Sequence, residues 1–263
     1  MHLRRYMEIN SNSLKSPIAL VGLPGIASVG TIAIESLSQI LDAQPMMDIY
    51  STDFPPRILV QKGLTFIPKS SVLLYRAAPD EPHDLIFLTA DYQPSSSGGV
   101  YEFADYVARE LNSFGVKEMY ALAAYEQGYE EYFSHFPNSP RIYVSASSEG
   151  LLKRVSSVNG TIITEDGSIV GANGVIPVWA STMYNMESAC LLGETLGVIK
   201  ADYRAAQHLL EVIINHLHMK VDLESMEPQI SKVLEFIEWA RSEIAQRTDS
   251  PSEDDLPSDR YIG

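Results

Sequence analysis

The chain has 263 residues, 45% of them hydrophobic, which suits one α/β domain with an appended end. Nineteen Lys and Arg against 34 Asp and Glu leave a net charge of -15, and so negative a surface repels phosphate backbones, which excludes nucleic acid from the expected partners. Cys190 is the single cysteine, so no intramolecular disulfide and no thiolate metal cluster can form; a reducing, cytoplasmic location fits.

The N-terminal MHLRRYMEINSNS has arginines but no apolar core of signal-peptide length behind them, and no apolar stretch approaches the ~20 residues of a membrane span. A soluble protein is expected. PIALVG (17–22) reads as a strand buried on both faces, followed by the glycine-rich VGLPGIASVG (21–30) and a helix from Thr31 to Leu41 with Ser28 as its cap. RILVQ (57–61), SVLLYR (71–76) and DLIFLTA (84–90) read as strands, with turns at 55–57 and 67–71. SSSGGVYEFADYVARELNSFG (95–115) has Phe103, Val107 and Leu111 at spacings of four and reads as a helix. EMYALAAY (118–125) and RIYVSAS (141–147) are further strands. VNGTIITEDGSIVGANG (158–174) sets NG and DG pairs between β-branched runs, which predicts an antiparallel ribbon. ACLLGET (189–195) is a short apolar run. Amphipathic helices follow at 202–217 and 230–247, and Leu209, Val212 and Ile213 on the first are either core or a subunit contact. The expected organisation is a single α/β domain over 1–247, its C-terminal helices at about 202–247, and a flexible acidic tail over 248–263. Its fold class is a three-layer α/β/α sandwich on a mixed, mostly parallel sheet, phosphorylase- or hydrolase-like.

The glycine-rich corner is the first place to look for chemistry. Gly25 and Gly30 have P-loop spacing, but Thr31 stands where the phosphate-neutralising lysine belongs, and Gly22, Gly25 and Gly30 do not match the intervals of a dinucleotide turn. Free amides at a helix start still attract an anion without a motif, while glycines also permit a sharp reversal and close helix packing. A second candidate is Asp91 in DYQP, just beyond a strand, with Ser96, Gly98 and Gly99 supplying amides at the next helix; an Asx turn with a helix cap is the competing reading. The ligand-binding candidates are therefore Gly22, Gly25, Ser28, Gly30, Asp91, Ser96, Gly98 and Gly99. Glu126 and Glu194 join Asp91 only if the sheet order brings them together. The histidines at 83, 135, 208, 216 and 218 are dispersed, with no H-E-x-x-H, and there is no G-x-S-x-G elbow, so no catalytic residue, metal ligand or cofactor is assigned. Tyr125, Tyr129, Tyr132, Phe133 and Phe136 form an aromatic segment suited equally to an interface or to packing over the sheet.

PIALVGLPGIASVGTIAIESL, the FPPR turn, DLIFLTADYQP, SSEGLLKRV, VNG and ACLLGETLGVIKADYRAAQHLLEVI together resemble the archaeal branch of the proteasome assembly chaperone family, from about Pro17 to Leu217. The most specific elements are G-x-P-G-x-x-x-x-G and LLGET followed by an aspartate-started helix. The resemblance implies a three-layer α/β fold similar to nucleoside phosphorylases, used as a binding scaffold with no established catalytic set. It also implies association with proteasome α-subunits, in some members through a C-terminal tail of hydrophobic residue, tyrosine and any residue. This chain ends Arg260, Tyr261, Ile262, Gly263, with the tyrosine third from the end and an arginine before it, on an acidic tether able to reach a partner. Some relatives carry a likeness to ATP-dependent ligases, which Thr31 does not support. Two functions follow: a non-enzymatic, homo-oligomeric assembly chaperone or adaptor that binds proteasome subunits or related proteins, and, as the alternative, a phosphorylase-like, hydrolase-like or nucleotide-binding enzyme acting on a small molecule.

Overall fold

The apolar runs at 17–22, 84–90, 118–125 and 189–195 lie side by side as the parallel centre of a nine-stranded sheet in the computed structural model, which describes residues 1–249 and side chains through Glu243. In chain order the elements are β1 (His2–Arg5), β2 (Ile18–Val21), α1 (Val29–Ile40), β3 (Gln44–Tyr50), β4 (Leu59–Gln61), β5 (Leu64–Phe66), β6 (Ser70–Tyr75), β7 (Leu85–Ala90), α2 (Ser97–Ser113) and β8 (Glu118–Glu126). They continue with α3 (Tyr129–His135), β9 (Ile142–Ala146), α4 (Glu149–Ser156), β10 (Thr161–Ile163), α5 (Ala172–Tyr184), β11 (Glu187–Thr195), α6 (Tyr203–His216) and α7 (Glu227–Asp249). The sheet runs β1-β3-β6-β7-β2-β8-β11-β9-β10, with β4 and β5 forming a separate two-stranded ribbon. β7, β2, β8 and β11 pair in parallel, the β1, β3 and β6 flank is antiparallel, and β9 pairs antiparallel with β11 but parallel with β10.

Successive side chains of a strand point to opposite faces, so strands covered on both sides must be apolar at every position. In β2, Ile18 and Leu20 enter one core while Ala19 and Val21 enter the other; Leu85 and Phe87 separate in the same way from Ile86 and Leu88. Helices α1 and α6, with α7, cover the first face; α2 and α5 cover the second. Three layers result. Leu209, Val212 and Ile213 are buried in the first core, which makes them packing residues of α6.

The segment 158–174 does not form the antiparallel ribbon that its NG and DG pairs predict. Gly160, at φ +86°, is the turn from α4 into β10, and β10 lies parallel to β9 with Thr161 beside Ile142. Gly171, at φ +85°, opens α5 instead. The two-residue hairpin is at Lys62-Gly63, whose φ values of +49° and +80° suit the tight turn between β4 and β5. Ser28 is also corrected: it sits at the start of α1 with φ +52°, and its side chain makes no capping bond. Helix α7 runs through Asp249, two residues into the expected tail, and 250–263 lie outside the described residues.

Candidate functional site

The corner between β2 and α1 is held by the protein's own groups. The Gly22 amide donates to the Leu88 carbonyl at 2.9 Å. A Cβ on Gly22 would overlap the Gly30 carbonyl, and one on Gly30 would overlap the Leu122 carbonyl, so these two glycines let the first turn of α1 press onto β2 and β8. Gly25 differs: its backbone is extended, at φ -165°, and the nearest atom to an added Cβ is Asn173 Nδ2 at 3.7 Å. Asn173, buried on α5, accepts from the Leu23 amide at 2.9 Å and donates to the Leu23 carbonyl at 3.0 Å. Gln93 donates to the Pro24 carbonyl at 2.5 Å and accepts from the Ala172 amide at 2.7 Å. Beyond the corner, the Ala27 carbonyl accepts the Asp202 amide at 2.9 Å.

A cleft of about 400 Å³ opens at the carboxyl ends of the parallel strands, where α/β sheets place ligands. Gly25, Gly30, Gln93, Tyr125, Glu126 and Asn173 are among its walls, and among the described residues no lysine or arginine lines it. An anion entering would meet the Glu126 carboxylate and, among the described residues, no compensating cation. Gly25 and Gly30 thus reach the cleft; Gly22 and Ser28 are not among its lining residues.

The acidic candidates do not converge. Asp91 is exposed, and its carboxylate accepts the Lys69 amide at 2.8 Å while its own amide donates to the Lys69 carbonyl at 2.9 Å, a clasp between β7 and the start of β6. Glu194 stands opposite Tyr125 in the β11–β8 register, one residue out of phase with Glu126, so the two carboxylates face opposite sides of the sheet. Glu194 is buried and accepts the Arg141 amide and Nε at 3.1 Å each, with a third bond from the Arg141 guanidinium, which also reaches Glu131 at 2.7 Å.

The N-terminus of α2 already holds a carboxylate. Asp53 accepts the Ser96 amide at 2.9 Å and the Ser96 hydroxyl at 2.8 Å, and Ser96 Oγ accepts the Gly99 amide at 3.0 Å. The Ser96 bonds hold the Asp53 carboxyl below its ordinary range. An added Cβ on Gly99 would overlap Asp53, whereas Gly98 faces open space. The sequence left these residues open to a ligand or to a helix cap; Ser96 is the cap, and the carboxylate at this helix start is the chain's own Asp53, 43 residues upstream.

The remaining motif residues pack. In LLGET and the aspartate after it, Thr195 donates to the Asp202 carboxylate at 2.6 Å, and Asp202 caps α6 by accepting the Ala205 amide at 2.9 Å. Tyr132 and Phe136 are buried, Arg204 lies 5.1 Å over the Phe136 ring and donates to the Tyr132 hydroxyl at 3.2 Å, and Tyr129 stays exposed. Burial pushes the Cys190 thiol up to about 12, so it stays protonated at neutral pH. Among the described residues no group of three His, Cys, Asp or Glu side chains could hold a metal ion, and no helix is long and apolar enough to cross a membrane. Arg260, Tyr261, Ile262 and Gly263 lie outside the described residues.

Residues 19–239 match the PAC2 family. An uncharacterized protein of Methanocaldococcus jannaschii is 28% identical over 255 residues, 95% of this chain and 93% of that one. PbaB of Pyrococcus furiosus, described as an archaeal proteasome activator, superposes with a TM-score of 0.82 at 27% identity, over 91% of this chain and 98% of PbaB. PbaA of the same organism, described as an archaeal homolog of proteasome-assembly chaperone, gives a TM-score of 0.67 at 25% identity, over 94% of this chain and 98% of PbaA.

Proposed function

The chain belongs to the PAC2 family, and from that premise we propose that it is a cytoplasmic, non-catalytic assembly chaperone or adaptor for proteasome subunits or related proteins. It works as a homo-oligomer and reaches its partner with the acidic tail that ends in Arg260, Tyr261, Ile262 and Gly263. The observation that carries this reading is the likeness to PbaB along 98% of that chain's length. What supports its non-catalytic part is that Asn173, Gln93 and Asp202 tie the corner down at Leu23, Pro24 and Ala27, beside a cleft that no lysine or arginine lines among the described residues.

Removal of Ser250 to Gly263 leaves every described helix in place and is expected to abolish or strongly weaken co-purification with proteasome α-subunits. Unchanged capture by the shortened chain would take the tail out of the mechanism. The position of the cleft favours one rival, a small-molecule enzyme. A thermal-shift series with phosphate, nucleosides and nucleotides separates the two, because a ligand at 100 times its Kd adds ~2.7 kcal/mol of apparent stability. No shift is expected from any of them.

A further inference from the structure

We infer that the β4–β5 ribbon is the element by which one copy of this chain grips another, seated across the carboxyl-end cleft of its neighbour. The inference rests on the homo-oligomeric part of the function proposed above and names the surfaces that part leaves open. Its starting point is a reversal of charge. Between Asp53 and Asp80 there is no acidic residue, while Arg57, Lys62, Lys69 and Arg76 all fall in that interval, in a chain whose net charge is -15. Lys69 is paired with Asp48 at 2.7 Å and Arg76 with Asp84 at 3.4 Å. Arg57 and Lys62, at the base and tip of the ribbon, have no acidic partner among the described residues.

The ribbon also exposes what a free surface hides. Ile58, Val60, Leu64, Phe66 and Ile67 are 58%, 66%, 65%, 46% and 64% accessible. In the ribbon's register Val60 stands opposite Thr65 on one face while Leu64 and Phe66 lie on the other, so both faces carry exposed apolar side chains, and exposed apolar surface of this kind marks an interaction site. A two-stranded ribbon without further support is marginal in water, and among the described residues β4 and β5 pair only with each other. Among the described residues, a Cβ added to Gly63 at the tip would meet nothing within 4 Å.

The complementary surface is on the same molecule. Ser70 pairs with Ala90, so the segment that carries the ribbon leaves the sheet at the carboxyl end of β7, the end at which the cleft opens. Among the described residues the cleft contributes Glu126 and no cation, and Ile26 and Val170 on its wall are exposed. Glu165 and Asp166 are on the loop that leads to Val170. A cationic apolar ribbon and an anionic apolar cleft on one edge allow two copies to exchange ribbons about a two-fold axis, each filling the other's cleft. The same contact offsets the repulsion between two bodies of net charge -15.

The test is analytical ultracentrifugation of the full chain at low and high salt, with circular dichroism as the control for folding. Wild type is expected at a multiple of 29.1 kDa. The K62E chain and the V60S/L64S chain, both altered only at exposed positions, are expected to keep wild-type dichroism and to raise the dissociation constant at least ~tenfold, as added salt does. The E126K chain is expected to weaken association equally, and K62E/E126K to recover part of the loss. In a mixture of ¹⁴N and ¹⁵N chains, zero-length carbodiimide is expected to join Lys62 of one copy to Glu126, Glu165 or Asp166 of the other. A wild-type oligomer that K62E and V60S/L64S leave with the same mass and dissociation constant would overturn this inference alone. A wild type at 29.1 kDa at every concentration would overturn the homo-oligomeric reading with it, leaving tail-dependent capture of subunits as a separate result.

Discussion

Gly22, Gly25 and Gly30 look alike in sequence and differ in space. Gly30 lies against the Leu122 carbonyl and Gly22 against the Gly30 carbonyl, so a methyl group at either position must displace backbone of the sheet or of α1. Gly25 has an extended backbone and 3.7 Å of clearance to Asn173. Gly30→Ala is expected to lower unfolding free energy by ~3 kcal/mol, the upper range for overpacking a filled interior, and Gly22→Ala by a similar amount. Gly25→Ala is expected to stay within ~0.5 kcal/mol of wild type. Urea denaturation of the three variants decides it. A large loss at Gly25 with none at Gly30 would mean that the corner is not built for close packing of the helix.

At the scale of elements, the start of α2 shows how one cap ties distant segments. Ser96 accepts from the Gly99 amide while its own amide and hydroxyl are taken by Asp53, in the loop after β3. Ser96→Ala removes the cap and one bond to Asp53, and is expected to cost ~1 kcal/mol at neutral pH, read from the urea midpoint. The Asp53 carboxyl sits below its ordinary value of 3.8, so its bonds to Ser96 stabilise the fold above that pH and are lost as pH falls through the depressed value. The difference between wild type and Ser96→Ala is therefore expected to narrow on acidification; a constant gap would assign the whole effect to the Gly99 bond. Elements whose cause is local were legible in the sequence: β2, β7 and β8 as apolar runs buried on both faces, α2 and α6 as regular apolar stripes. Those whose cause lies elsewhere were not. Asn159-Gly160 reports a turn but not its continuation, and α4 on one side of it with β9 as partner makes the next strand parallel. In α5, Pro177 and an apolar composition on most sides mask the helical period, which packing against α2 and β11 overrides. The same limit applies to the site. Gly25 and Gly30 could be placed at a turn from their spacing, whereas Asn173 closes that turn from 150 residues away.

For the whole molecule, the decisive feature is that two cores share one set of strands. Ile18 and Leu20 belong to one and Ala19 and Val21 to the other, and Tyr120 and Leu122 separate likewise from Met119 and Ala121. Neither helical layer can detach without exposing one face of β2, β7 and β8, so the cores are expected to melt together despite a length beyond the usual two-state range. The two tryptophans make this measurable. Trp179 lies on α5 in the second layer, bonded to Asp105 at 3.1 Å, and Trp239 lies on α7 over the first, its ring 5.6 Å from Phe236. In W179F and W239F chains each remaining tryptophan reports one layer. Phe103→Ala on α2, at a side chain with no exposure, is expected to cost ~3–5 kcal/mol. Introduced into both single-tryptophan chains, it should move the two fluorescence midpoints in urea by the same amount, although Trp239 is on the far side of the sheet from the deletion. A shift confined to the Trp179 signal would show that the layers unfold separately, and that the strands between them do not couple the two halves of the fold.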